Sequence, residues 1–447
     1  MKLSTIALRN ITRNKRRSLL SGIAITIATL IIVFMFSLIE GMKIDVSRNI
    51  FTYVSGHIRI RNAEYERYET LNPLHLGIQE HSEILESIRG QDNVRLVLPR
   101  IRFFSAIYRE DKNYRGMGLG VDFGEELFLR RGMTGRRLSE EERSETAARF
   151  ERMNQREKLE EFGQSWSLTF FEGELPRSGE KEILLTTGLA EEIEVGIGDK
   201  VTFYTKTAYM SMQAWTFRVT GIVSFPIQTM NRGVFIAPFD SVQRFLKMHS
   251  ANNMATEIVV YVKELENLER THENLMRRLL SEGHTALEVK SWQEIGTFYS
   301  YIKMAGQIYN IVAFFFFLLG TTVIVNTTMM VIYERMKEIG TIAAMGMTGR
   351  EIMALFFLEA FFIGSIAAFV GVLLGVGITL PLATNGLDYG EVMANVDMGI
   401  STVIYPVLNL RSTVFVFLYS IAVASVASFV PTRRAAKIQP AEALKSV

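Results

Sequence analysis

Residues 18–39 read SLLSGIAITIATLIIVFMFSLI, 22 consecutive residues without a charge. At about 1.5 Å per residue a helix of that length covers about 33 Å, close to the thickness of a bilayer's hydrocarbon core. Upstream, the first 17 residues hold Lys2, Arg9, Arg13, Lys15, Arg16 and Arg17 and no acid. A basic start before an apolar core also describes a secretory signal. Here the core is too long for one, and Glu40-Gly41-Met42 is a poor small-residue cleavage site. The reading is an uncleaved membrane helix over 18–42, behind a cytoplasmic amphipathic segment over 1–17.

Three further runs repeat the pattern. Met304–Tyr333 has 30 uncharged residues, Ser412–Thr432 has 21, and Ile352–Leu387 carries a single charge, Glu359. One buried helix of this kind fits a soluble core, but four in 447 residues point to a multi-pass membrane protein. The predicted spans are 18–42, 304–333, 348–387 and 412–432.

Basic residues near the helix ends set the orientation. The loop over 334–347 opens with Glu334, Arg335, Lys337 and Glu338, and Arg350 follows it; the tail over 433–447 carries Arg433, Arg434, Lys437 and Lys445. The loop over 388–411 holds Asp388, Glu391 and Asp397, with Arg411 at its end. Both termini and the 334–347 loop are therefore expected in the cytoplasm. The long stretch over 43–303 and the short 388–411 loop are expected outside.

The outward stretch reads as strands mixed with helices, an α+β domain. Ile58 and Ile60 alternate with His57, Arg59 and Arg61; Trp215, Phe217 and Val219 alternate with Thr216, Arg218 and Thr220. Period-two patterns of this kind predict half-buried strands with their polar residues in solvent. Val201–Thr205 and Glu257–Lys263 are further strand candidates. Helical spacing occurs over Ser82–Arg89, Phe239–Met248 and Asn267–Leu280. In the segment 136–161, 15 of 26 residues are charged with both signs interleaved. It reads as an exposed helix or insertion, either a solvated face or a docking surface for a soluble partner.

Enzyme chemistry is absent from the sequence. There is no GxxxxGK[ST] phosphate loop, no HExxH and no GxSxG. The six histidines, at 57, 75, 81, 249, 272 and 284, lack metal-ligand spacing. Gly116, Gly118 and Gly120 form a GxGxG with no helical pattern behind it, which suits a strand end or turn. No cysteine occurs, so disulfides and thiolate sites are excluded. The net charge of +2 gives no support for nucleic-acid binding.

The 334–347 loop has its own design. Glu334 and Glu338 share a helix face, and Ile339, Ile342, Ala343 and Met345 offer an apolar side. Gly340 lies within this short helix, and Gly346 is placed to stop it. Thr348 to Glu351 matches the T-x-x-E capping box that opens the next span. The residues allow two readings: a static helix at the membrane surface, or a helix that an external motor pushes.

ERMKEIGTIAAMGMTGREI, over residues 334–352, resembles the coupling-helix signature of FtsX-like ABC transporter permeases. The opening LSTIALRNITRNKRRSLL and the ending PTRRAAKIQPAEALKSV resemble that family's two ends. The resemblance implies a type VII ABC permease: four transmembrane helices, a large α+β periplasmic domain, and residence in a bacterial inner membrane. It implies a second permease copy or paralogue and two separate ABC ATPase subunits, which would bind the ATP and magnesium. No cofactor is expected on this chain itself. GMKIDVSRNIFTYVSGHIRI and GMGLGVDF resemble lipoprotein-releasing permeases of the Lol type. That implies a lipoprotein substrate drawn from membrane lipids and a periplasmic carrier protein to receive it. The EIGTIAAMGM stretch is closer to the general superfamily pattern, which keeps a MacB-like export or mechanotransmission permease open. An FtsX-like regulator of a periplasmic hydrolase is the other alternative.

Under the lipoprotein reading, the outer ends of the first two spans would shelter acyl chains, through Phe36, Ile39 and Met42 on one and Met304, Ile308 and Ile311 on the other; ordinary lipid-facing surface is the plainer reading of each. Small residues at Ala360, Gly364 and Ala368, with Gly371 and Gly375, predict close packing of the third span within the subunit. Glu359 sits about 12 Å into that span. It is either a functional acid or a buried hydrogen-bond acceptor for a neighbouring helix.

Overall fold

The computed structural model describes residues 5–7, 9, 11, 15–109, 112–128, 140–249, 253–295, 298–334, 336–390 and 401–435. Helices of seven or more residues and all strands of the main sheet are labelled in chain order. They are α1 (Lys15–Asn49), β1 (Ile58–Asn62), α2 (His81–Arg89), β2 (Val94–Arg109), β3 (Lys112–Val121), α3 (Glu140–Arg152), α4 (Gln155–Ser165), β4 (Phe170–Gly173), β5 (Glu182–Thr186), β6 (Lys200–Lys206), β7 (Met212–Ser224), β8 (Val234–Pro238), α5 (Phe239–Phe245), β9 (Glu257–Val262), α6 (Leu268–Ser281), β10 (Leu287–Ser291), α7 (Phe298–Glu334), α8 (Met336–Ala344), α9 (Gly349–Asn385) and α10 (Leu410–Ala435). They fall into two units. The helical unit holds Met1–Ile44, Ile302–Asp388 and Ile404–Val447; the sheet unit holds Asp45–Tyr301 and Tyr389–Val403.

In the helical unit, α1, α7, α9 and α10 carry the four apolar runs. Among the described residues, three helical stretches are long and apolar enough to cross a membrane: Ser18–Ser55, Gly349–Asn385 and Leu410–Phe429. The Met304–Tyr333 run lies in α7, a helix of 37 residues. The α9 glycines have a steric purpose. A Cβ at Gly371 would fall 2.7 Å from the Thr26 carbonyl oxygen, and one at Gly364 would fall 2.8 Å from the Ala424 Cβ. Bare backbone at these points lets α9 lie close against α1 and α10. The approach brings polar groups into reach: Thr26 Oγ1 donates to the Ala367 carbonyl and Thr29 Oγ1 to Ser420 Oγ, each at 3.0 Å. Ile25, Ala367, Ala368, Ala424 and Ala427 fill one layer of the core, and Ile32, Val33, Ala313 and Val416 fill another.

The sheet unit is built on one ten-stranded sheet in the order β10-β1-β9-β2-β3-β8-β5-β7-β4, with β6 pairing both β2 and β7. Pairing is antiparallel except for β3 with β8 and β5 with β7. The long β2 joins its two halves. Its first part pairs β9, and Ile101 to Arg109 pair β3. Phe103, Phe203, Phe217, Phe235 and Phe245 form the aromatic centre of the core. The GxGxG lies within β3, where a Cβ at Gly118 would come within 3.0 Å of the Phe103 and Phe235 rings. Gly116 and Gly118 make room for aromatic packing, and Gly120 makes room for Val242.

The strand at Ile58 corrects one sequence expectation. Arg59 and Arg61 do not face solvent; they are 4% and 2% exposed, as deeply buried as most of the core. β1 is an inner strand of the sheet, and both its faces are covered. The β7 pattern holds at Thr216 and Arg218, which are exposed, and at Phe217 and Val219, which are buried, but it fails at Thr220, which is buried with its Oγ1 donating to the Ile183 carbonyl at 3.2 Å. Within the charged segment, residues 136–139 lie outside the described residues. The rest forms α3 and most of α4, which begins at an Asn154–Glu157 capping box and buries Leu159 and Phe162.

Candidate functional site

The loop expected to couple to a motor forms α8, and local chemistry explains its ends. Gly346 has φ +102°, the left-handed conformation that closes a helix without steric cost. The turn is held by Met345 N–H to the Thr341 carbonyl and Gly346 N–H to the Ala343 carbonyl, both at 3.0 Å. Thr348 then opens α9: its N–H donates to Glu351 Oε2 at 2.8 Å, and its Oγ1 accepts from the Glu351 N–H at 3.4 Å.

The apolar side of α8 is docked. Ile339 packs in a cluster with Ile332, Ile352 and Phe356, and Ala343 and Met347 lie against it. Gly340 is buried as well, whereas Met345 and Gly346 are exposed. α8 is thereby seated on the adjoining ends of α7 and α9, within the helical unit. Arg335 lies outside the described residues, as do the side chains of Glu334, Lys337, Glu338 and Ile342.

Of the residues proposed to shelter acyl chains, Met304, Ile308 and Ile311 expose an apolar stripe on α7, at 50%, 49% and 57%. The same helix exposes Phe314, Phe315, Leu318 and Leu319. On α1, Phe36 packs against the cluster of Ile32, Val33, Ala313 and Val416, and Ile39 and Met42 are half-buried. Glu359 is 7% exposed and lies on the buried side of α9 with Leu355 and Phe356.

The sheet unit contains polar chemistry that sequence reasoning missed. Glu257 is fully buried and accepts from Arg61 Nε at 3.0 Å and Nη2 at 2.5 Å. Arg102 Nη2 reaches its other oxygen at 3.4 Å. Arg59 and Arg61 also bind Glu66, at 2.7 and 3.1 Å, and Arg61 binds Glu69 at 2.9 Å. Burial alone would push the Glu257 carboxyl up, but Arg102, Arg61 and Arg59 overcome that and hold it at about 2. A second pair, Arg100 with Glu126, is 1% exposed on each side and bidentate at 2.7 and 2.9 Å, with Trp166 Nε1 donating to the same carboxylate at 3.2 Å. The available signal was the recurrence of Arg at 59, 61, 100 and 102 within strand patterns.

These groups also receive the chain as it leaves α1. Residues Ile50–Ser55 continue α1 as a π-helix that stops at Gly56, where φ is +65°. Carbonyls at this end need donors from elsewhere. Tyr261 Oη donates to the Phe51 carbonyl at 2.7 Å, and Arg102 Nη2 donates to those of Tyr53 and Val54 at 3.1 Å each. The Tyr53 hydroxyl donates to the Trp166 carbonyl at 2.5 Å. His57 follows, 5% exposed, with Nδ1 accepting from the Val262 N–H at 3.0 Å. Burial, with a smaller contribution from Arg95, lowers its pKa to about 4 and keeps the ring neutral.

Comparison with known proteins places both halves. Residues 310–440 match the family described as FtsX-like permease C-terminal, and residues 18–278 match the MacB-like periplasmic core domain. A lipoprotein-releasing system transmembrane protein LolC of Xylella fastidiosa is 24% identical over 281 residues, covering 60% of this chain and 66% of the relative. The chain's match thus spans just under two thirds of that relative's length. LolC of Neisseria meningitidis serogroup B is 22% identical over 306 residues, covering 64% of this chain and 70% of its own. An ABC transporter permease of Methanocaldococcus jannaschii is 24% identical over 254 residues, covering 56% and 58%. Among solved structures, the periplasmic region of MacB from Actinobacillus actinomycetemcomitans aligns with a TM-score of 0.32 at 14% identity, over 53% of this chain and 89% of that one. The MacB-like match alone spans more than half of the sequence, the FtsX-like match takes up most of the remainder, and the chain belongs to the FtsX-like, MacB-type family of ABC transporter permeases.

Proposed function

We propose that this chain is the permease subunit of an ATP-driven transporter that lifts lipoproteins from the inner membrane and passes them to a periplasmic carrier. In this reading four helices cross the bilayer, α7 included, with both termini in the cytoplasm and the sheet unit in the periplasm. ATP and magnesium act on two partner ATPase subunits, and a second permease copy or paralogue completes the complex.

The observation that carries the reading is the exposed apolar stripe of α7 at Met304, Ile308 and Ile311, in a chain whose relatives include LolC proteins. A lipoprotein's acyl chains are costly to expose, about 0.8 kcal/mol for each buried CH₂. Extraction therefore needs an apolar refuge and an external source of work. The stripe offers the refuge, together with Ile39 and Met42 on α1. The work enters at α8, which is short, capped at Gly346 and seated on α7 and α9 through Ile339. Displacement of α8 would be carried by two long helices.

The MacB-like match over 18–278 favours a second reading, an export or mechanotransmission permease for another envelope substrate. Depleting the protein, separating inner and outer membranes and quantifying lipoproteins in each distinguishes the two. Lipoproteins retained in the inner membrane before other envelope defects support extraction. An unchanged distribution after depletion overturns it in favour of export.

A further inference from the structure

Four residues on one face of α1, at i, i+4, i+8 and i+12, are each in contact with the chain that precedes α10. Val407 N–H donates to the Ser37 carbonyl at 2.8 Å. Gly41 lies directly beneath the Tyr405 carbonyl, and a Cβ there would come within 3.0 Å of that oxygen. Asp45 accepts from the Ser401 N–H and from Ser401 Oγ, both at 2.9 Å. Asn49 Nδ2 donates to Asp45 Oδ2 and to Ser401 Oγ, each at 3.1 Å. Asp45, Asn49 and Ser401 are 5%, 2% and 4% exposed. The contacts of Ser37 and Gly41 belong to the helical unit; those of Asp45 and Asn49 belong to the sheet unit.

The next residue extends the pattern. Thr402 N–H donates to the carbonyl of Pro226, two residues past β7, at 3.1 Å, and Tyr389 N–H donates to the Thr402 carbonyl at 2.7 Å. Tyr389, Gly390 and residues 401–403 thus belong to the sheet unit. The sequence presents this stretch only as a short loop between two spans.

We propose that residues 401–407 are a positioning strap that makes the α9–α10 hairpin and α1 move together. This rests on the permease reading above. α8 is separated from α9 only by Met345–Thr348. A displacement of α8 therefore reaches α9 directly, and the strap hands it to α1 and so to the sheet unit, in parallel with the route through α7. Asp45 is the key group because its carboxylate holds Ser401 by two bonds and orients Asn49 towards the same hydroxyl. Gly41 is required because the strap's backbone occupies the space of any side chain there.

The test uses the full chain with its ATPase partners in nanodiscs. The protein has no cysteine, so Glu266→Cys on the exposed surface of the sheet unit gives a unique site for a fluorophore. The signal is the ATP-dependent change in its emission, normalised to the rate of ATP hydrolysis. Asp45→Asn and Ser401→Ala are each expected to cut that ratio about tenfold while hydrolysis continues. The double variant is expected to lose no more than either single, because both remove one shared interaction. Gly41→Ala, which leaves the carboxylate intact, is expected to reproduce the loss. A cooperative thermal transition well above the assay temperature in each variant verifies that loss of folding is not the cause. Ratios within twofold of the parent in folded single variants overturn the proposal, as do additive losses in the double variant or a parent that hydrolyses ATP with no change in signal. Lipoprotein release is scored separately. A parent that shows the signal but no release defeats the lipoprotein reading and leaves the strap standing.

Discussion

Replacing Glu257 by Gln removes the fully buried charge at the centre of an ion-pair cluster in the sheet unit. The side chain is fully buried, and its oxygens receive Arg61 at 2.5 Å and Arg102 at 3.4 Å. Its pKa is held at about 2, against an ordinary value of 4.5. A difference of that size corresponds to roughly 3 kcal/mol at about 1.4 kcal/mol per unit. Breaking a buried pair from one side generally costs about 3–5 kcal/mol, because the remaining charge stays buried. Arg61 keeps Glu66 and Glu69, so the lower figure applies. At about 2–4 °C per kcal/mol for a domain near this size, the melting temperature should fall by about 6–12 °C at pH 7. The pH dependence supplies an independent check. A carboxyl whose folded pKa is depressed stabilises the fold above its ordinary pKa and loses that contribution as pH falls through its folded value. The gap between parent and variant should therefore be constant from pH 7 to 5 and narrow from 4.5 towards 2. Differential scanning fluorimetry of the full chain in detergent reads both. A shift below 2 °C at pH 7, or a gap undiminished at pH 3, would refute the reasoning.

His57 should make the sheet unit acid-sensitive in a different window. Its folded pKa of about 4 lies below the ordinary 6.5, so its contribution is complete above pH 6.5 and lost as pH falls to 4; urea titrations across that range should show a decline of about 3 kcal/mol that His57→Phe removes. In the helical unit, Gly371→Val forces a side chain onto the Thr26 carbonyl and should cost about 1–3 kcal/mol in detergent unfolding. Gly377→Val, at a glycine with open space around it, should cost far less and serves as the control. Charge reversal at Arg335 and Glu338 together should leave ATP hydrolysis running while substrate release stops. Normal release in that double variant would remove α8 from the stroke.

Much of this protein could be read along one dimension. An uncharged run long enough to cross a bilayer is a property of the segment itself, since no distant residue is needed to make 18–39 apolar. The same holds for α8: Gly346 at its end and the T-x-x-E box after it act within one turn of chain, and both appear in the structure as the sequence predicts. The packing role of Gly371 was legible too, because small residues four apart mark one helix face; that the facing residues are Thr26 and Thr29 was not.

What the tertiary structure alone decided concerns partners far apart in the chain. Alternation of Arg59 and Arg61 with isoleucines distinguishes two strand faces but does not say what covers each. The answer depends on Glu257, 196 residues beyond Arg61, and on β1 lying inside the sheet. The strap at 401–407 is likewise invisible locally, because its Asp45–Ser401 bonds span 356 residues and involve ordinary side chains. Helix length and capping are set by neighbours within a turn. Burial of a charge, or the laying of a loop along a helix, is set by whichever distant surfaces the fold brings together.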